Sequence, residues 1–207
     1  MRWYTRLVRR YATGGPYLDF GCGTGHLVRR LSALGPAAGF EVSAWSAERA
    51  RQNAPGCAVH TDPAAMATAS FGALTAIHVL EHLTDEVAAE TLTTWHRILR
   101  PGGHALVVMP DPAGRGRHLA GERWMGFADP THINLKPHDA WRAVLVDHGY
   151  TVVREGSDGL WDVPYSRLPK LVDAGVHAVP AFVQFLAGRM MLRPGSGESS
   201  VFLLRRD

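Results

Sequence analysis

The chain has 207 residues, of which 46% are hydrophobic and 20% are charged. This length suits a single domain with a sizeable core and an embellishment, because domains commonly run to about 100–200 residues. The mixture of core-forming residues with 22 glycines and 13 prolines excludes a disordered tail and a coiled coil. The net charge of +3 comes mainly from arginines spread along the chain, so it does not predict DNA binding.

The cellular compartment is suggested by the cysteines and the N-terminus. Cys22 and Cys57 could form at most one disulfide, which a core of this size does not need. The N-terminal residues lack the apolar run of a secretion signal. We therefore expect a cytoplasmic protein.

The first predicted element is an N-terminal helix within residues 1–14. Four of its residues would share one side of the helix at spacings of three and four: Arg2, Arg6, Arg9 and Arg10. A solvated basic face is favoured there over a phosphate-binding face.

Strands then alternate with helices. The apolar runs predict strands over 16–20, 37–42, 57–61, 71–79 and 105–109. Segments with the spacing of a helix begin at Leu27, at Ser46 and at Asp85. This alternation predicts a parallel sheet with helices on both faces.

The second half departs from strict alternation. Its predicted elements are a long functional loop over 110–136, a helix over 137–148, and strands over 150–154 and 201–205.

An insert over 157–198 separates the last two strands, and it holds an apolar run over 171–192. Asp173, Gly175, His177 and Pro180 interrupt that run, which disfavours a membrane span of about 20 apolar residues. Pro180 is predicted to divide two short helices. Their apolar faces would either cap the active site or lie against a partner or a lipid surface, with membrane contact disfavoured.

A glycine turn follows the first strand and predicts a nucleotide-like ligand. Gly21, Gly23 and Gly25 let a ligand approach the backbone, and the next helix begins with amides directed at it. The turn reads G-x-G-x-G rather than G-x-G-x-x-G, which disfavours NAD and FAD.

Four motifs in order resemble those of class I S-adenosylmethionine-dependent methyltransferases. They are the turn at 18–25, Glu41 after the second strand, the segment His-Val-Leu-Glu-His at 78–82, and Leu-Arg-Pro-Gly-Gly at 99–103. The match covers roughly residues 15–156 and the last strand, and is nearest to small-molecule enzymes with Leu-Glu-His-Leu after strand four. It implies one α/β domain over 1–207 with a Rossmann-like, doubly wound, mostly parallel seven-stranded sheet and a helical cap insert before the last strand.

The resemblance also implies how S-adenosylmethionine is bound. Asp19, Gly21, Gly23 and Gly25 would surround its methionine part, and Glu41 would accept bonds from both ribose hydroxyls.

The adenine amine would be bound by Asp62, and His78 would also contact the cofactor. Because Pro63 has no amide, a backbone contact to adenine would have to come from Ala64 or Ala65.

Three histidines are the candidate catalytic residues. His78 and His82 follow strand four, and His132 lies in Asp-Pro-Thr-His-Ile-Asn at 129–134, a segment that resembles a D-x-T-H element of these enzymes. Imidazole suits a general base at neutral pH.

A divalent metal is a less favoured alternative for the same segment. Some related O-methyltransferases hold an ion with an acid and a Glu-His pair here, so the ligands would be His78, Glu81 and His82, with His132 able to join them.

Aromatic residues in the loop and the insert are candidates for binding the acceptor or, equally, for packing the insert against the sheet. They are Trp124, Phe127, Trp161 and Tyr165.

The sequence therefore predicts an enzyme that methylates a small molecule or a natural product, on oxygen or on a peptide carboxylate, as a monomer or a homodimer. An RNA methyltransferase using the N-terminal arginines is the second hypothesis, and RNA is the less favoured partner. A non-catalytic binding or scaffold protein is the third.

Overall fold

A computed structural model describes residues 1–12, 14–162 and 164–207 of the chain. Thr13, in the predicted N-terminal helix segment, and Val163, in the predicted insert, lie outside the described residues.

The described residues contain one seven-stranded sheet with the order β3-β2-β1-β4-β5-β7-β6. β7 pairs antiparallel with both of its neighbours, and the remaining pairs are parallel. The sheet is thus mostly parallel, as predicted. The strands are β1 Tyr17–Phe20, β2 Ala37–Phe40, β3 Ala58–His60, β4 Phe71–Ile77, β5 Leu99–Pro110, β6 Tyr150–Ser157 and β7 Ser199–Arg206.

Helices connect the strands. They are α1 Arg2–Tyr11, α2 His26–Leu31, α3 Ala44–Asn53, α4 Asp85–Ile98, α5 Arg115–Ala120, α6 Met125–Ala128, α7 His138–Asp147, α8 Lys170–His177 and α9 Val179–Ala187. Short 3₁₀ turns lie at Pro63–Ala65, Leu80–His82 and Gly121–Arg123.

Local chemistry explains where the central helices begin. The Ser43 hydroxyl accepts a bond from the Ser46 amide at the start of α3, and Thr84 does the same for Val87 at the start of α4. Such caps satisfy amides that have no partner inside the helix.

One main core holds α4 and α7 against the sheet. Trp95 on α4 is fully buried and meets the ring of Phe20 edge-on, at 5.4 Å between ring centroids. Trp141 and Leu145 of α7 belong to the same cluster. This packing fixes the strand ends that carry the candidate site.

The prediction of a long loop over 110–136 is wrong, because this segment contains α5 and α6. Gly116 in α5 packs so closely on Glu198 that a Cβ would lie 2.1 Å from a carboxylate oxygen. Trp124, between the two helices, is fully buried. Tertiary contacts with Glu198, just before β7, order residues 110–136. The local sequence does not predict these contacts.

Candidate active site

The candidate site lies where the parallel strands end. β1 lies between β2 and β4. The strands β2 and β3 are added on one side of β1, and the next strand in the chain, β4, is added on the other side. In doubly wound folds this reversal opens a crevice at the carboxyl ends of the strands, and ligands bind there.

The glycine turn between β1 and α2 is left-handed at three positions. Gly21, Gly23 and Gly25 have φ of 74°, 51° and 81°, which favours glycine over residues with a Cβ. A Cβ on Gly25 would lie 2.8 Å from the Cα of Ala50, so this glycine lets α2 pack on α3. A Cβ on Gly23 would meet nothing within 4 Å and would enter open space.

Gly21 and Gly23 line a cavity of about 220 Å³ together with Asp19 and His26. Asp19 is buried and accepts a hydrogen bond of 2.7 Å from the hydroxyl of Thr75. Burial raises the pKa of Asp19 to about 7, Thr75 opposes this shift, and the charge of Glu41 adds to it.

Glu41 ties two loops of the site together. One of its carboxylate oxygens accepts the amide of Gly23 at 2.9 Å, and the other accepts the amide of Ser43 at 2.9 Å. Each oxygen keeps a second lone pair, so the carboxylate can still accept bonds from a ligand.

A second, apolar cavity of about 300 Å³ adjoins Glu41. Its lining includes Phe40, Pro63, Val79 and Leu83. This cavity suits a flat apolar group that belongs to the same ligand as the group bound by Glu41.

Asp62 is exposed beside this cavity, and one of its carboxylate oxygens accepts a hydrogen bond from its own loop. That oxygen accepts the amide of Ala64 at 2.8 Å, and the amide of Ala65 bonds to the Asp62 carbonyl at 3.2 Å. The two amides that the sequence offered to adenine are therefore already used within the turn.

His78 follows β4 and has an unusual backbone. Its φ of 56° is uncommon for a residue with a Cβ, and such strain concentrates at functional sites. Its Nδ1 lies 2.9 Å from Oε1 of Glu81, a side chain with no exposed surface. The carboxylate fixes the orientation of the ring, which leaves Nε2 for a ligand.

Glu81 also lies close to two further histidines, His82 and His132. Ligand atoms of Glu81, His82 and His132 all lie within 4.8 Å of one another. Oε2 of Glu81 is buried without a hydrogen-bond partner. A carboxylate with two imidazoles is a donor set that divalent transition metals accept. The structure thus groups His132, rather than His78, with the two other predicted ligands.

Both histidines of this cluster have one ring nitrogen engaged. Nδ1 of His82 lies 2.8 Å from the hydroxyl of Thr131, and Nδ1 of His132 lies 2.8 Å from the carbonyl of Gly126. These contacts anchor the segment after α6 beside the end of β4.

A third cavity, of about 300 Å³, lies beyond His78. Its lining includes Asp158, Trp161, Asp162 and Glu198. Asp158 accepts the amide of Ser199 at 2.8 Å, and burial raises its pKa to about 6. Of the three candidate catalytic histidines, His78 is the one that lines this cavity.

Sequence reasoning missed Asp158 and Glu198. They lie 40 residues apart and meet because β6 and β7 pair along their whole length. The available signal was that both are acids bordering a largely apolar insert.

The four predicted aromatic residues divide into two pairs. Trp124 and Tyr165 are buried, and both donate hydrogen bonds to Glu198, at 2.7 Å from the Trp124 indole. Their burial and their bonds to this carboxylate favour packing, the second of the two roles that the sequence left open, because a buried carboxylate requires donors. Phe127 and Trp161 are each 44% exposed and remain open to a ligand.

Comparisons with known proteins agree with this fold. A family model described as "Methyltransferase domain" matches residues 1–155. Among curated proteins, none matches this sequence significantly.

Several solved structures share the fold. A SAM-dependent methyltransferase from Archaeoglobus fulgidus is 15% identical, with a TM-score of 0.67 over 100% of this chain and 95% of that one. A possible histamine N-methyltransferase from Thermotoga maritima is 17% identical, with a TM-score of 0.66 over 99% and 89%. Magnesium protoporphyrin IX methyltransferase from Synechocystis PCC 6803, solved with bound SAH, is 16% identical, with a TM-score of 0.61 over 99% and 80%.

The family model covers most of the chain, and its fold is that of the solved methyltransferases. The chain therefore belongs to the methyltransferase domain family, with the class I fold of the S-adenosylmethionine-dependent enzymes.

Proposed function

We propose that this enzyme transfers the methyl group of S-adenosylmethionine to a hydroxyl oxygen of a small planar acceptor, with His78 as the general base. The observation that carries the proposal is the His78–Glu81 pair at the edge of the third cavity. Nδ1 of His78 is held 2.9 Å from a buried carboxylate, so Nε2 is the nitrogen left to take a proton.

The cofactor would span the first two cavities. Its methionine ammonium would lie against Asp19 in the glycine-lined cavity, and its ribose hydroxyls would bond to Glu41. Adenine would enter the apolar cavity beside Val79 and Leu83, with its amine toward the exposed carboxylate of Asp62. Asp19 lies between the glycine turn and Thr75, and its negative charge complements an ammonium group.

The acceptor would then lie in the third cavity. Its oxygen attacks the methyl carbon, the carbon–sulfur bond breaks, and both electrons of that bond pass to sulfur, leaving S-adenosylhomocysteine. Nε2 of His78 accepts the hydroxyl proton. Trp161 offers an exposed ring face to a planar acceptor, and Asp158 can accept a bond from a second hydroxyl.

A second candidate function is N-methylation of an amine. The carboxylates of Asp158, Asp162 and Glu198 all line the third cavity. Such a lining favours a cationic acceptor, although Glu198 already accepts bonds from Trp124 and Tyr165.

One experiment separates the two functions. The protein is incubated with S-adenosylmethionine carrying a ¹³C-methyl group and with matched sets of catechols, phenols, amines and carboxylic acids. NMR then locates the labelled methyl group. We expect a methyl ether from hydroxyl acceptors, and loss of that product in His78→Ala. A labelled N-methyl product would favour the amine function and overturn the proposal.

A further inference from the structure

The helices α8 and α9 are inverted, because two of the polar side chains within them, Asp173 and Gln184, lie inside the fold. Asp173 of α8 has no exposed surface, and its carboxylate accepts the amide of Tyr165 at 2.8 Å. Gln184 of α9 is 1% exposed and donates to the carbonyls of Ser157 and Asp158 at 2.9 Å each. Every polar group of these two side chains is thus used within the fold, and the apolar side chains face out.

Half of the large hydrophobic side chains that are exposed in the described residues lie between Leu168 and Met191. The most exposed, Leu171, has 90% of its surface free. Apolar patches on monomeric proteins are rarely this continuous unless they bind something. This α8–α9 face consists of Leu168, Leu171, Val172, Val176, Val179, Phe182, Val183, Leu186 and Met191.

The exposed charges within residues 164–197, the segment that carries the α8–α9 face, have one sign. Residues 164–197 contain a single acid, the buried Asp173. The exposed cations of the same segment are Arg167, Lys170, Arg189 and Arg193.

Helix α1 adds more positive charge at the end of α9. Arg6, Arg9 and Arg10 line a cavity of about 410 Å³ together with Leu186 and Gly188. Arg6 donates to the carbonyl of Phe185 at 2.8 Å, which holds α1 against α9. Arg9 and Arg10 are exposed at the mouth of this basic cavity.

We propose that the α8–α9 face docks on the surface of an anionic lipid bilayer. Its apolar side chains would enter the interfacial layer, and the basic cavity of α1 would take a lipid phosphate. An apolar face bordered by cations is typical of helices that lie in the plane of a membrane surface. No helix among the described residues is long and apolar enough to cross a bilayer, so the contact is peripheral.

A second copy of the chain fits this surface poorly. A two-fold dimer would place the same face on itself and would bring the cations of both copies together. A bilayer with negative headgroups instead neutralises them.

The inverted helices change the expectation drawn from the sequence. The sequence disfavours a membrane span because residues such as Asp173 and His177 interrupt the apolar run, but Asp173 is fully buried and His177 partly buried. The interruptions therefore leave the outer face apolar. α9 also supplies Phe185 to a cavity shared with Asp158 and Trp161, so docking would bring the proposed acceptor site close to lipid.

The test is flotation of the full chain with vesicles, which requires no methyl transfer and so is independent of the proposed function. We expect binding to phosphatidylcholine vesicles containing 30% phosphatidylglycerol to exceed binding to pure phosphatidylcholine at least about ten-fold. Phe182→Asp with Leu186→Asp should lower that binding at least about ten-fold, since charged groups are costly in the apolar layer. Arg9→Glu with Arg10→Glu should do the same.

Matched controls keep the test specific. Val146→Asp changes an exposed valine on α7, and Arg29→Glu with Arg49→Glu makes the same charge change on α2 and α3. These controls should bind vesicles like the unaltered protein. Equal binding by all variants, or no binding to anionic vesicles, would overturn the proposal. A dimer in light scattering that Phe182→Asp with Leu186→Asp dissociates would instead assign the face to a second copy.

Discussion

Nδ1 of His78 lies 2.9 Å from Oε1 of the buried Glu81, and the same carboxylate belongs to the cluster with His82 and His132. Glu81 thus connects the third cavity, through His78, to the histidine cluster. Because buried polar groups are costly to leave without a partner, a change at Glu81 should disturb both His78 and the pair His82 and His132.

The first prediction concerns the general base. His78→Ala should lower turnover at least about 100-fold, because a positioned base contributes roughly that much, while leaving cofactor affinity nearly unchanged. Calorimetry with S-adenosylmethionine and steady-state release of S-adenosylhomocysteine measure the two quantities separately.

The comparison variants are His132→Ala and His118→Ala, the latter altering an exposed histidine on α5. His118→Ala should behave as the unaltered protein, and His132→Ala should lose less activity than His78→Ala. If His132→Ala lost more turnover than His78→Ala, the base would be His132, as the sequence also allowed.

A second prediction addresses the glycine turn. Gly23→Ala should weaken cofactor binding at least about ten-fold, because the new methyl group would point into the open cavity and nothing in the protein would obstruct folding. Isothermal titration gives the affinity.

Gly56→Ala is the matched control for this change. Gly56 also has a left-handed φ, 82°, and open space around its Cβ position, but lies after α3 and outside the site. Both variants should lose a similar amount of stability. Equal cofactor affinity in both would show that Gly23 does not face the cofactor.

The third prediction is a pH dependence of stability. Burial raises the pKa of Asp19 to about 7, whereas an unfolded Asp titrates near about 3.9. The folded protein therefore binds the proton more tightly, and the stabilisation present below about pH 4 is lost as the pH rises through 7. The effect is on the order of 4 kcal/mol and acts without cofactor.

Urea unfolding at several pH values tests this dependence. Asp19→Asn should remove most of the decline between pH 4 and 7, whereas Asp147→Asn, at an exposed position on α7, should leave it intact. The raised pKa of Asp158 adds a change of the same sign. An unchanged decline in Asp19→Asn would contradict the assigned titration.

A fourth prediction concerns metal. If His78 is the base, turnover should be unchanged in a sample freed of metal by a chelator, because the proposed proton transfer uses Nε2 of His78 alone. Loss of turnover that Mn²⁺ or Mg²⁺ restores, and that His82→Ala abolishes, would assign the Glu81, His82 and His132 cluster to a metal instead.

The fifth prediction tests the buried network around Glu198. Trp124→Phe removes the indole donor 2.7 Å from this carboxylate, whose pKa is raised by burial. Leaving a buried acceptor short of a partner should cost about 1–3 kcal/mol in urea unfolding. Phe127→Leu, which alters an exposed ring nearby, should cost much less.

The sequence predicts where the residues of the proposed cofactor site lie in the fold. The glycine turn and Glu41 follow consecutive strands of a parallel sheet, so the same hydrophobic pattern that predicts the strands also places these residues at one edge. The His78–Glu81 pair is separated by three residues and needs no distant partner.

The third cavity, the proposed acceptor site, could not be predicted in the same way. Asp158 and Glu198 meet only through the pairing of β6 with β7, and Trp124 is buried because a carboxylate 74 residues away needs its donor. Composition within a segment carries no information about such partners.

The sequence by itself determined the alternating α/β pattern and the glycine turn, because hydrophobic periodicity and left-handed backbone act locally along the chain. Only the tertiary structure decided which histidine lines the third cavity and which side of α8 and α9 faces outward. In both cases the deciding factor is the hydrogen-bond requirement of a buried polar group, Glu81 for His78 and Gln184 for α9, and that requirement is met by residues brought close only when the chain folds.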